Sequence, residues 1–253
     1  MEHEKRHDFI LNVLQKEENV NVQAIANHFG VAPMTVRRDL AFLERKGLLV
    51  RRYGGAVKSG SAERLFSFAE RMGMHKVEKT AIGKKAAELI QNGDTIFIDC
   101  GSTPYQMARH ISGTNNIRII TNSLPVVSEL IVDPSIRIIF AGGEIVNDRR
   151  ASQGPIAERA LAEYRADKAF IGVDGVSLKT GLTAFNEMEG IMSKRMAAHA
   201  REVYLLCDSS KLEKDSFYQF APIRKITAIV TDDRANQEII SRYRQEGVSV
   251  IIA

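Results

Sequence analysis

Apolar residues recur at helical spacing three times in the first part of the chain. This spacing predicts a helix over residues 5–16, a second helix between Asn21 and Gly30, and a third from Pro33 to Gly47. Asn, Pro and Gly are residues that commonly cap, begin and end helices, respectively. The second and third helices are predicted to pack through Val22, Ile25, Phe29, Val36 and Leu40.

Two short strands follow these helices. They cover residues 48–52 and 56–58, and Gly54-Gly55 forms the turn between them. Three helices followed by a hairpin are typical of a winged helix-turn-helix, which places the start of its third helix in the major groove of DNA. We therefore predict that residues 1–58 are a DNA-binding domain.

From residue 76 onward the chain alternates between helical patterns and short apolar runs. A helix is predicted over residues 76–91. Strands are predicted near residues 95–98, 117–120, 136–140, 169–173, 203–207, 226–230 and 249–252. This alternation favours an α/β domain with a largely parallel sheet wrapped by helices, which we assign to residues 76–253. Residues 59–75, which begin with a small polar stretch, are predicted to be a linker.

Composition narrows the class of protein. Hydrophobic residues make up 44% and charged residues 26% of the 253 residues, which is ordinary for a globular protein. No apolar run approaches the ~18 residues that a membrane span needs. The charged N-terminus does not fit a signal peptide, so we expect a cytoplasmic protein with no membrane partner. Two cysteines give no disulfide framework.

Positive charge is concentrated in the predicted DNA-binding domain. Residues 1–58 hold ten Lys and Arg against seven Asp and Glu, so they carry +3 of the formal net charge of +4. Side chains suited to bases and phosphates lie off the apolar stripe of the third helix and on the hairpin: Thr35, Arg37, Arg38, Arg51, Arg52 and Tyr53. A small helical subdomain with solvated charges is the alternative, and Arg38 could also pair locally with Asp39.

Polar loops follow five of the predicted strands. Parallel sheets bind ligands at the carboxyl ends of their strands, so these loops predict a small-molecule site. Gly lets the backbone approach a ligand, hydroxyls donate to it, and the start of the helix after Thr103 favours an anion. The candidate ligand-binding residues are Asp99, Gly101, Ser102, Thr103, Thr121, Asn122, Ser123, Gly142, Gly143, Asp174 and Lys211. Neither a P-loop nor a dinucleotide-binding glycine pattern is present in the sequence.

The sequence resembles the DeoR family of transcriptional regulators over nearly its whole length. The resemblance is carried by Arg6, Ile10 and Leu14, by the segment Ala32-Pro33-Met34-Thr35-Val36-Arg37-Arg38-Asp39-Leu40, and by Arg51-Arg52-Tyr53-Gly54-Gly55-Ala56. Ala32 departs from the family, in which a helix-capping Ser is common at this position, and should weaken the cap.

The resemblance implies both a fold and a mechanism. The sensor domain of this family is similar to ribose-5-phosphate isomerase and glucosamine-6-phosphate deaminase, which implies a sugar-phosphate pocket. Ser102, Thr103 and Lys211 would hold the phosphate, and Asp174 would face the sugar hydroxyls. The family implies a homo-oligomer, a dimer or a tetramer, that represses a carbohydrate-utilisation operon by binding a double-stranded DNA operator. Binding of a sugar phosphate would release this regulator from the operator.

An enzyme is the main alternative. Asp174 stands where the isomerases carry an acid, but the position of their second acid is Ser177. Glu187 or Glu189 could serve as a base, although both more simply begin a helix. A metal at His3 and His7 or among the aspartates, and a redox role for Cys100, are weaker readings of the sequence. We therefore expect a regulator with no catalytic residue, metal or cofactor.

Overall fold

The computed structural model of the chain describes residues 2–17, 19–45, 48–52, 55–58, 67–111 and 116–253. The chain forms two compact units, Met1–Leu65 and Phe66–Ala253. Within the described ranges, no helix combines the length and the apolar character that crossing a membrane requires.

The first unit contains three helices and a small antiparallel sheet. Its elements are α1 (Glu2–Glu17), β1 (Asn19–Asn21), α2 (Val22–Phe29), α3 (Pro33–Arg45), β2 (Leu49–Arg52) and β3 (Gly55–Lys58). The predicted hairpin forms from β2 and β3, and β1 adds a third strand against β3. The strand β1 was not predicted, because three residues are too few to show a periodic pattern.

The predicted apolar faces meet in one core in this unit. Ile10 and Leu14 of α1 are buried together with Ile25 of α2 and Leu40 of α3. The side chain of Asn21 accepts hydrogen bonds from two backbone amides at the start of α2, and Gly30 ends the helix in the left-handed conformation with φ 61°. The sequence pattern therefore identified the three helices and both ends of α2, whereas α1 begins three residues earlier than predicted and α3 ends at Arg45.

The second unit is an α/β domain. Its elements are α4 (Phe68–Gly73), α5 (Lys76–Ala87), β4 (Thr95–Ile98), α6 (Ser102–Ala108), β5 (Arg118–Thr121), α7 (Leu124–Leu130), β6 (Arg137–Phe140), β7 (Glu144–Val146), β8 (Ala151–Gln153), α8 (Pro155–Ala162), β9 (Ala166–Gly172), β10 (Gly175–Ser177), β11 (Gly181–Ala184), α9 (Glu187–Ala198), β12 (Ala200–Leu206), β13 (Tyr218–Ala221), β14 (Ala228–Thr231), α10 (Gln237–Gln245) and β15 (Ser249–Ile252).

Seven strands form one sheet in the order β15-β14-β12-β9-β4-β5-β6. Every neighbouring pair in it is parallel, which confirms the predicted sheet. Successive residues of a strand face opposite sides. Ile171 accordingly packs in one apolar cluster with Met192 of α9, and Phe170 packs in another with Ile82 of α5. Helices thus cover both faces of the sheet.

Two features of this unit differ from the sequence prediction. The strands of the ribbon β7–β8 and of the antiparallel sheet β10–β11–β13 were not predicted. The predicted linker, residues 59–75, also extends too far toward the C-terminus. Of its residues, 59–66 lie outside the described ranges, whereas α4 packs within the second unit: Phe68 is buried and its amide donates to the carbonyl oxygen of Asp148 at 2.7 Å.

Candidate functional sites

The third helix of the first unit has the two-sided character that the sequence predicts. Val36, Leu40 and Leu43 are buried in the core. Arg37 and Arg38 are exposed, and Thr35 is half-buried near the start of the helix. These three polar side chains therefore have the placement expected of a helix that reads DNA, although their contacts with DNA stay a prediction.

Asp39 in this helix has a structural partner that the sequence did not suggest. Its carboxylate is buried, lies 2.5 Å from Nε of Arg6, and lies 3.1 Å from Nε2 of His7. The expected local pair with Arg38 is therefore replaced by an ion pair that joins α3 to α1. The sequence predicted no structural role for Arg6, which in the structure pairs with Asp39 of α3.

The predicted wing is only partly described. Arg51 and Arg52 lie on β2, where their Cα partners across the ladder are Ala56 and Gly55. Tyr53 lies outside the described residues.

The second unit contains a cavity of about 160 Å³ at the carboxyl ends of β4, β9 and β12. This is the edge of the sheet at which the sequence predicts a ligand site. Its ionisable lining residues include Arg71, His75, Lys79, Asp99, Asp174, Glu189, Asp208 and Lys211. Hydroxyl and thiol groups are added by Ser102, Thr103, Ser193, Ser210, Cys100 and Cys207.

Six of the eleven predicted ligand-binding residues line this cavity: Asp99, Gly101, Ser102, Thr103, Asp174 and Lys211. Ser102 and Thr103 begin α6, which has only seven residues. Such a helix is about two turns long, so its dipole stabilises a bound anion less than the dipole of a longer helix would. The hydroxyl groups and the neighbouring cations are what this wall offers a ligand.

The other five predicted residues do not line the cavity. The hydroxyl of Thr121 donates to the carbonyl oxygen of Ile98 at 2.7 Å, and the side-chain amide of Asn122 donates to the carbonyl oxygen of Ser152 at 3.0 Å. Ser123 caps α7. Gly142 and Gly143 adopt positive φ angles, and a Cβ at Gly143 would lie 2.9 Å from the carbonyl oxygen of Gln153. The geometry thus gives all five a role in the fold of the β5 and β6 loops.

Several residues of the cavity were missed by the sequence reading. Arg71 and Lys79 come from α4 and α5, which precede the sheet in the chain and show no loop motif. Glu189 was considered only as a possible base at the start of a helix. It does lie in the first turn of α9, where the side chain of Asn186 caps its amide, but its own side chain lines the cavity.

Glu189 is the centre of a buried charge cluster beside the cavity. Its Oε1 lies 2.6 Å from Nε of Arg149, and its Oε2 lies 3.8 Å from Nη1 of Arg71. The Arg149 contact is a close ion pair without hydrogen-bond alignment. Nη1 of Arg71 is also 4.0 Å from Oδ1 of Asp174. Burial alone would lower the pKa of Arg71, but Glu189 and Asp174 raise it above its ordinary value.

Burial also shifts other groups that line the cavity. It lowers the pKa of Lys79 to about 8, and its ammonium donates to the carbonyl oxygen of Arg71 at 2.6 Å. It raises the pKa of Asp99, whose carboxylate accepts from the amides of Gly172 and Cys100. It raises the pKa of the Cys100 thiol as well, which argues against a reactive redox sensor there.

Comparison with known protein families finds a match in each of the two units. Residues 6–61 match the family profile described as a DeoR-like helix-turn-helix domain. Residues 74–233 match the profile described as a DeoR C terminal sensor domain. The chain belongs to the DeoR family. Its two units are therefore a DNA-binding domain and a sensor domain of a transcriptional regulator.

Curated relatives of this DeoR-family chain are named as repressors. It is 33% identical to the glycerol-3-phosphate regulon repressor of Escherichia coli, over 92% of each chain. It is 32% identical to the HTH-type transcriptional repressor GlcR of Bacillus subtilis, over 100% of this chain and 97% of that protein. It is 37% identical to the lactose phosphotransferase system repressor of Staphylococcus epidermidis, over 94% and 96%.

Among solved structures, the chain is similar to a ribose 5-phosphate isomerase from Methanocaldococcus jannaschii. The identity is 23%, the match covers 53% of each chain, and the TM-score is 0.40.

Proposed function

We propose that this DeoR-family regulator represses a carbohydrate-utilisation operon and that a sugar phosphate relieves the repression. The first unit binds a double-stranded operator through Thr35, Arg37 and Arg38 of α3 and through the wing. The sugar phosphate binds in the cavity of the sensor unit. The names of the relatives, which include a glycerol-3-phosphate regulon repressor and a lactose phosphotransferase system repressor, support this assignment.

The observation that carries the proposal is the mixed lining of the cavity. Lys211, Ser102 and Thr103 supply a cation and two hydroxyls, which suit a phosphate group. Asp174 and Asp208 supply carboxylates, which accept hydrogen bonds from sugar hydroxyls. A phosphorylated polyol offers both kinds of partner in one molecule.

The mechanism requires the ligand to distinguish two states of the protein. A sugar phosphate lowers operator affinity only if it binds the DNA-bound state less tightly than the released state. We infer that the regulator acts in the cytoplasm as a homo-oligomer, a dimer or a tetramer, on repeated or inverted half-sites. The segment between the units carries the change.

We infer further that the protein is not an enzyme. Ser177, at the position where the isomerases have a second acid, donates a hydrogen bond to Asp215. Of the two candidate bases, Glu189 lies within ion-pair distance of Arg149, and Glu187 is exposed and does not line the cavity. A turnover assay on pentose and aminohexose phosphates tests this inference, and turnover that Asp174→Asn abolishes would establish an enzyme instead.

The decisive experiment measures operator affinity by fluorescence anisotropy, on a fragment of the gene's own promoter region, with a panel of sugar phosphates. We expect at least one member to weaken operator binding by about 5- to 150-fold, the usual range of allosteric coupling. Lys211→Ala should shift this response to higher ligand concentration. The matched control is Lys225→Ala, an exposed lysine outside the cavity lining.

Two outcomes would overturn the proposal. One is tighter operator binding with every active member of the panel, which would make the ligand a co-repressor. The other is the absence both of a change in operator binding and of thermal stabilisation by any member, which would leave the cavity without a sensing role.

A further inference from the structure

The guanidinium group of Arg71 bears on which ligands the cavity accepts, an inference that rests on the proposed function. Arg71 lines the cavity from α4. Its Nη1 faces Asp174 and Glu189 at 4.0 and 3.8 Å. Its Nε and Nη2 are buried and have no hydrogen-bond partner among the residues that the structure describes.

These two nitrogens share one edge of the planar guanidinium group. Their N–H bonds are parallel, so the edge can bind two oxygen atoms at once. Leaving a buried charged donor without an acceptor is unfavourable, because the group gives up its bonds to water and gains none in return. A ligand in the cavity that brings oxygen atoms to this edge removes that penalty. Both atoms have almost no solvent-accessible surface, so hydrogen bonds from this edge to a ligand would include a rotation of the Arg71 side chain toward the cavity.

The surrounding charges decide which kind of oxygen fits. The lining holds the carboxylates Asp99, Asp174, Glu189 and Asp208 against the cations Arg71, Lys79 and Lys211. Arg149 adds a further cation behind Glu189. The charge of Arg71 is therefore already balanced locally by Glu189 and Asp174. A second anionic group bound at this edge would share the cavity with these carboxylates, and like charges in a poorly solvated site repel strongly.

We propose that Arg71 is a specificity-determining residue that donates from Nε and Nη2 to neutral oxygens of the ligand, hydroxyl or carbonyl, and that the cavity selects monophosphates with an uncharged polyol head. The phosphate lies at the Lys211, Ser102 and Thr103 wall. Asp174 and Glu189 accept hydrogen bonds from the hydroxyls of the same head. Compounds with a second anionic group are rejected.

The first test compares pairs of ligands in which one member carries a second anionic group, either an added phosphate or a carboxylate in place of an aldehyde or hydroxymethyl group. The pairs are glucose 6-phosphate with 6-phosphogluconate, fructose 6-phosphate with fructose 1,6-bisphosphate, and glycerol 3-phosphate with 3-phosphoglycerate. Isothermal titration of the full-length protein measures each Kd. In every pair in which binding is detected, we expect the monophosphate with the neutral head to bind at least about tenfold more tightly, which corresponds to about 1.4 kcal/mol.

The second test replaces Arg71. Arg71→Gln removes the charge and the two-donor edge, and Arg71→Lys keeps the charge alone. Losing hydrogen bonds from a charged donor should weaken monophosphate binding by about ten- to a hundredfold in both variants. Competition by inorganic phosphate, which has no polyol head, should change by less than about threefold. The matched control is Arg159→Gln on α8, an exposed arginine outside the cavity lining.

Each result has a defined consequence. Equal or tighter binding of the doubly anionic member of a pair overturns the inference and leaves the proposed function intact. Wild-type affinity in both Arg71 variants does the same, and so does an equal loss of sugar-phosphate and inorganic-phosphate binding, which would show a structural role. Failure of every phosphorylated compound to bind or to alter operator affinity overturns the proposed function together with the inference. If a variant fails to fold, the ligand pairs still decide the matter.

Discussion

The ion pair between Arg6 and Asp39 supports a prediction about the stability of α3. The two side chains are only 7% and 10% exposed. Arg6→Leu removes the cation and leaves the Asp39 carboxylate buried beside His7 alone. Removing one partner of a buried ion pair costs about 3–5 kcal/mol, because the remaining charge is no longer compensated.

That cost is large for a unit of this size. At about 0.05–0.15 kcal/mol per residue, a unit of 65 residues has a stability of roughly 3–10 kcal/mol. Hydrogen exchange of the full-length protein, measured by mass spectrometry, reports the local free energy of opening. We expect exchange of α3 amides in Arg6→Leu to accelerate by about two to four orders of magnitude. Exchange in β9 of the sensor unit should not change, and operator affinity should fall together with the protection of α3.

The double variant Arg6→Leu/Asp39→Leu is the control. Replacing both charges with apolar residues of similar volume is often neutral, so the double variant should recover at least half of the lost protection. The reasoning is refuted if the single variant loses less than about 1 kcal/mol, or if the double variant is as unstable as the single one.

Three further predictions follow from other contacts. Arg37→Ala should cost roughly 1–3 kcal/mol of operator binding and relax base specificity, whereas Arg51→Ala should weaken binding to operator and random DNA alike. Fluorescence anisotropy with both DNAs checks this, and an equal loss of affinity for the two DNAs in both variants would refute the separate roles of Arg37 and Arg51. Gly83→Ala should destabilise the sensor unit by about 1–3 kcal/mol in thermal unfolding, because the new Cβ would lie 2.6 Å from backbone atoms of Gln106 and Met107; an unchanged Tm would contradict it. Affinity for a sugar phosphate should fall as pH rises through about 8, where Lys79 loses its proton. The free energy of unfolding should rise between about pH 8 and 10.5, because in this range the unfolded chain binds a proton that the folded chain has released. Titrations of wild type and Lys79→Gln over this range test the sign, and an equally steep pH dependence in both would refute it.

The sequence predicted the elements that carry a strong local pattern. The central strands are apolar runs that only a buried parallel sheet explains, and the helices of the first unit have clear caps. The missed strands lack such a signal: Ala151–Gln153 is short and mostly polar, and Gly181–Ala184 is short and rich in small residues. Their pairing depends on partners that the folded chain brings to them.

The cavity was predictable to the extent that loops at strand ends define it. Ser102, Thr103 and Lys211 follow apolar strands and were found in this way. Arg71 and Lys79 reach the cavity from α4 and α5, and no local pattern states where those helices lie on the sheet. Thr121, by contrast, is the last residue of β5, and its hydroxyl donates to the carbonyl oxygen of Ile98 on the neighbouring strand β4.

The position of β9 at the middle of the seven-stranded sheet has a consequence for synthesis of the chain. The strand joins β4 to β12, and it lies about seventy residues after β4. The sheet cannot close around its centre until the ribosome has released residue 172, whereas all pairings within the first unit lie before residue 59. A chain whose synthesis stopped between these points would contain the described strands of the DNA-binding unit and would lack the central strand of the sensor sheet.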